Sequence, residues 1–177
     1  ISNSDYVYFA MNDLFSRNHW DGHDQPCLRL FTQPYEGQAA IVERCSMEGG
    51  FEVIHLINSE NDPIYPANIM LERLLLVSSS YTSALLNMQR SGVTLRDSLL
   101  IRTNVPMLAP AGNAGAINMV RTSDLDDERE GVYANPVTIY SNTYVNLLDS
   151  TNDIGGVPPW PFVKFDPAYD NVIEENN

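Results

Sequence analysis

The sequence predicts an α+β fold: an N-terminal helix, a mainly antiparallel sheet with a Gly-Gly hairpin, one long buried helix, further strands and an extended C-terminal arm. Three observations carry that expectation. The stretch PANIMLERLLLVSSSYTSALLNMQRSG has apolar residues at helical steps, two β-rich runs flank Gly49-Gly50, and proline and aromatics crowd the end of the chain.

Taken in order, NSDYVYFAMNDLFSRN offers Ser4 as a cap, with Tyr6, Phe9, Ala10 and Leu14 at helical spacing, which predicts a short amphipathic helix over 5–17. HWDGHDQPC follows as a loop, with Asp21-Gly22 and Pro26 as turn signals. CLRLFTQ alternates like a strand. AAIVERCSM and FEVIHLINS predict a hairpin through Gly49-Gly50, because glycine accepts the positive φ that tight turns need.

In the next segment Ala67, Met70, Leu74, Val77, Tyr81, Ala84 and Met88 recur at steps of three and four, and Gly92 stands where helices often end. Leu71 and Leu75 widen the stripe, which predicts burial on several sides. SLLIRT and AINMVRT read as strands around the irregular NVPMLAPAGNAGA, and GVYANPVTIYSNTYVNLL supplies one or two more. Residues 1–156 are expected to form one α+β domain, and 157–177 an extended Pro/aromatic arm with an acidic tail. The sequence offers no evident internal repeat.

Composition bounds function. The 177 residues suffice for a core without staples, and a net charge of −13 repels phosphate backbones and anionic lipid, which argues against nucleic-acid binding. Glu72, Arg73 and the serine run Ser78 to Ser80 argue against insertion of the long apolar segment into a membrane. Two cysteines, Cys27 and Cys45, leave one disulfide open. A chain opening on Ile1 reads either as proteolytic processing or as an arbitrary boundary. A virion or extracellular setting is favoured over a cytoplasmic one.

Chemistry-bearing motifs are few. His19 and His23 stand four apart with Asp24 and Cys27 nearby, a set that could hold zinc with an open position for water. The competing reading is a polar loop whose aspartates bond backbone amides. TSDLDDEREG alternates acids like a calcium loop, but Arg129 and Asn135 occupy the places of the required glycine and glutamate. AGNAGA lacks the following helix that a phosphate cradle needs. No nucleophile elbow or Cys-His signature is present, and His55 reads as a hydrogen-bonded core histidine.

The arm is the more demanding feature. Val157, Trp160, Phe162, Phe165 and Tyr169 would form an apolar patch unless they bury against the chain itself or against a neighbouring subunit. The favoured reading is a non-enzymatic structural or assembly subunit of a symmetric oligomer, for instance a virion head, neck or tail protein or a filament component. Its partners would be copies of itself or other subunits, and it would need no cofactor. The alternatives are a metal-dependent hydrolase or zinc- or calcium-binding domain on the sites above, and a secreted ligand-binding module using exposed aromatics.

Overall fold

A computed structural model describes residues 7–16, 26–30, 40–49, 52–56, 68–78, 84–88, 92–103, 115–119, 137–147, 162–165 and 172–175. Every regular element among them is a strand: β1 (Val7–Ala10), β2 (Asp13–Ser16), β3 (Leu28–Arg29), β4 (Ala40–Glu43), β5 (Ser46–Gly49), β6 (Glu52–Leu56), β7 (Ile69–Glu72) and β8 (Leu75–Val77). The remainder are β9 (Ala84–Met88), β10 (Val93–Arg96), β11 (Leu99–Arg102), β12 (Gly115–Met119), β13 (Val137–Tyr140), β14 (Thr143–Asn146), β15 (Val163–Phe165) and β16 (Val172–Glu175).

Each strand pairs in parallel with the strand three places later, which gives three sheets: β1-β4-β7-β10-β13-β16, β2-β5-β8-β11-β14 and β3-β6-β9-β12-β15. The chain therefore winds as a parallel β-solenoid, one strand per sheet in each coil, and among the described residues the crossover between parallel neighbours carries the other two strands and no helix.

This corrects the α+β expectation. The predicted helix over 5–17 is β1 and β2 around a corner at Met11-Asn12, and the predicted long helix contributes β7, β8 and β9. The Gly49-Gly50 turn joins no hairpin, because β5 and β6 belong to different, all-parallel sheets. Gly49 takes φ 90° as the last residue of β5, and Gly50 lies outside the described residues.

The core explains the misreading. In the coil beginning at Ile69, the buried apolar positions are Ile69, Leu71, Leu74 and Leu76. Within a strand, inward residues alternate with period two; a two-residue corner then advances the phase by one. In the resulting pattern Ile69 and Leu76 stand seven residues apart and Leu71 and Leu74 three apart, spacings that a helix also uses, so strand-corner-strand imitates a helical stripe.

The same pattern recurs as Ala40, Val42, Cys45, Met47 and as Val93, Leu95, Ser98, Leu100. Register stacks these residues into continuous columns, such as Ala40, Ile69, Val93 and Val137, or Val42, Leu71, Leu95 and Ile139, all buried. Leu28, Ile54, Leu86 and Ile117 form the matching buried column of the third sheet.

The corner between the first and second sheets is built alike in every coil. Met11, Arg44, Arg73, Asp97 and Ser141 all lie in the left-handed region, with φ between 51° and 55°. The residue after each points to a common inner row: Asn12, Cys45, Leu74, Ser98 and Asn142. Its polar members donate to the carbonyl two residues back, from Asn12 Nδ2 to Ala10 O at 2.7 Å, Ser98 Oγ to Arg96 O at 2.8 Å and Asn142 Nδ2 to Tyr140 O at 3.0 Å.

The row is also linked along the axis. Ser98 Oγ accepts from the Leu74 amide at 3.1 Å and Asn142 Oδ1 from the Ser98 amide at 3.0 Å, both within the buried interior. Replacing Asn142 by alanine strands the Ser98 amide, so a loss of about 1–3 kcal/mol is expected in chemical denaturation. Asn142→Asp, which keeps the acceptor but sets a buried carboxylate oxygen against the Leu95 and Tyr140 carbonyls that Nδ2 now serves, should not recover that loss.

Candidate functional site

The repeated corner produces a groove on the outside. A cavity of about 580 Å³ runs across successive coils and is lined by Asp13, Arg44, Ser46, Arg73, Leu75, Asp97, Leu99, Ser141 and Thr143, with the inner-row residues Cys45, Leu74 and Ser98 at its floor. The coils place one corner residue above the next at the interstrand spacing of about 4.8 Å, so the five corners span about 19 Å.

Along the groove the corner row reads Met11, Arg44, Arg73, Asp97, Ser141, and the row beside it, by register, Asp13, Ser46, Leu75, Leu99, Thr143. The centre therefore has two guanidiniums and a carboxylate next to a Leu75-Leu99 shelf, and the ends have Asp13 at one side and hydroxyls at the other. Arg44 and Arg73 keep 48% and 55% of their side-chain surface exposed.

Acidic partners hold these arginines in place. Arg44 Nη2 donates to Glu43 and Arg73 Nη2 to Glu72, while Arg96 donates to Glu72 as well, at 3.1 Å from Nε and 2.5 Å from Nη2, and to the Tyr140 hydroxyl at 3.1 Å. Tyr8 completes the row by donating to Glu43 at 2.5 Å. The Arg44 and Tyr8 hydrogen bonds hold the Glu43 carboxyl below its ordinary range, and the same Glu43 bond raises the Tyr8 hydroxyl. The Glu72 hydrogen bonds, and then that with Tyr140, raise the Arg96 guanidinium above its ordinary value.

A second polar group lies on the third sheet. Glu52, nearly buried, receives the Asn87 amide on one oxygen and faces His55 Nδ1 with the other, and Asn118 Nδ2 donates to Asn87 Oδ1 at 3.4 Å. Arg29, His55, Asn87, Asn118 and Lys164 share one register row. Both Glu52 oxygens are engaged inside this network, so it fixes the sheet's buried polar groups and presents no activated nucleophile.

Of the residues singled out in the sequence, His19, His23 and Asp24 lie outside the described residues, as do the acidic run 122–131, Val157, Trp160 and Tyr169. Among the described residues no three His, Cys, Asp or Glu side chains come together as a metal set, and no helix is long and apolar enough to cross a membrane. Cys27 and Cys45 are both thiols; Cys27 Sγ donates to Glu48 O at 3.1 Å and Cys45 Sγ to Glu43 O at 3.2 Å.

Phe162 packs on the core and stacks on Tyr144, with ring centroids 5.7 Å apart, and its carbonyl accepts from the Ile117 amide at 2.9 Å. Phe165 belongs to β15, in register with Met119.

Sequence reasoning missed Arg44, Arg73 and Asp97 as a group, since 29 and 24 residues separate consecutive members. The available signal was the recurring E-R-C, E-R-L and R-D-S at strand ends. Compared with known proteins, the chain matches no family model, no curated protein and no solved structure, so its functional reading rests on this geometry.

Proposed function

We propose that the chain is a non-enzymatic structural and assembly module, a rigid solenoid segment of an elongated particle or filament, joined to further segments through its coil ends. The observation that supports this reading is the pairing of the sheets. Each is an unbroken parallel ladder, and among the described residues its outermost strands have a neighbour on one side only: β1, β2 and β3 at one end, β14, β15 and β16 at the other.

Among the described residues no strand pairs with the outer side of these end strands, an arrangement that can template another strand. Because all pairings are parallel, the two ends are different and complementary, and stacking them repeats the contact already used between coils. That is a heterologous contact, which extends as an open stack when nothing closes it. The columns of the core would then continue across the junction.

The six strands of the first sheet span about 24 Å along the axis, and the junction adds one more interstrand step of about 4.8 Å, so each stacked chain adds about 29 Å. Negative-stain electron microscopy of purified protein over a concentration series tests the proposal. Rods or filaments that lengthen in such increments are expected. Particles that stay the size of one chain at all concentrations would contradict it.

A further inference from the structure

We propose that the axial groove is a binding site for a neutral linear oligosaccharide, with Arg44, Arg73 and Asp97 as the polar contacts and Leu75 and Leu99 as the platform beneath a sugar ring. Four observations converge on this ligand class. The groove spans several coils and presents one polar corner side chain per coil, which suits a polymer of short repeating units.

Its chemistry is that of hydroxyl recognition. Asp97 accepts from hydroxyls and the guanidiniums donate to them, while exposed Leu99 next to Leu75 offers an apolar surface for the C–H face of a ring. An extended peptide has nothing to pair with at the centre of the groove. The strands that line it there, β5, β8 and β11, are each hydrogen-bonded on both sides, so no backbone row is open for strand addition between them.

Charge selects the neutral class over the acidic one. Arg44 and Arg73 are each tethered to an adjacent glutamate, Asp13 and Asp97 add negative charge to the same groove, and the whole chain carries −13. A polyanion would meet this field with little uncompensated positive charge to hold it.

The test is isothermal titration of the full chain with three probes: linear hexasaccharides of glucose, of N-acetylglucosamine and of a uronic acid. At least one neutral probe is expected to bind, with affinity falling tenfold or more in Arg73→Gln and in Asp97→Asn. Thr138→Ser, on the outer face of the first sheet away from the groove, is expected to bind as the parent does.

Both groove positions are exposed, and asparagine accepts the left-handed backbone at 97, so the variants keep the fold. Failure of both neutral probes, binding of the uronic acid probe alone, or neutral binding unchanged in both variants would overturn the proposal. Coil-end stacking runs through β1, β2, β3, β14, β15 and β16, none of which carries Arg73 or Asp97, so either proposal can fail without the other.

Discussion

Leu71→Ala is expected to destabilise the protein by about 2–5 kcal/mol, while Met70→Ala, one residue away, costs no more than about 1 kcal/mol. Leu71 is fully buried in the column between Val42 and Leu95, and the cavity left by its side chain has walls on both neighbouring coils that cannot close independently. Met70 faces outward in the same strand, half-buried, with its sulfur 4.0 Å from Arg96 Nη2. A helical stripe through Met70 and Leu74 would make Met70 the core residue. Urea denaturation of the two variants separates these cases, and a Met70 cost equal to or above that of Leu71 would refute the strand register.

Thr94→Pro is the second large effect, a loss of about 3 kcal/mol or more, against no more than about 1 kcal/mol for Thr94→Ala. Thr94 lies in the middle of β10, which is paired on one side with β7 and on the other with β13. In a strand flanked on both sides every amide is used, so proline removes a ladder bond and clashes where the neighbour approaches. The side chain itself is on the outer face, half-buried, and contributes little. The break falls in the central coils, so cooperative melting should divide into two transitions, since each coil of a solenoid is held by its nearest neighbours.

About half of the strand positions were readable in the sequence, while β1, β2, β7, β8 and β9 read as helix and the arrangement was not legible at all. AIVE, EVIHL, LLIR, AINM and VTIY announce themselves by β-branched and alternating residues, and all are strands. LERLLLVSSSYTSALLNM did not, because leucine is a strong helix former and the corner at Arg73-Leu74 breaks the period-two alternation.

The internal repeat was hidden by unequal connections. Register-matched Val7, Ala40, Ile69, Val93, Val137 and Val172 follow one another at 33, 29, 24, 44 and 35 residues. A search for a fixed period has nothing to lock on to. What does repeat is local, four inward residues at relative positions 0, 2, 5 and 7 around a left-handed corner. Corners occupied by arginine, aspartate, serine and methionine, not by glycine, conceal that conformation from composition.

The groove was illegible for a related reason. Arginines that look scattered along the chain, Arg44 and Arg73 above all, become neighbours only when coils stack. Their spacing in sequence is set by the connections, whereas their spacing in space is set by the strand-to-strand hydrogen bond.

The central claim is that each strand pairs in parallel with the strand one coil away. Long-range nuclear Overhauser contacts from Leu71 test it most directly. The solenoid predicts backbone contacts from Leu71 to both Val42 and Leu95, at separations of 29 and 24 residues. Sequential amide contacts through 67–91, with medium-range contacts three and four residues apart and none to Val42 or Leu95, would instead establish a helix there and contradict the fold.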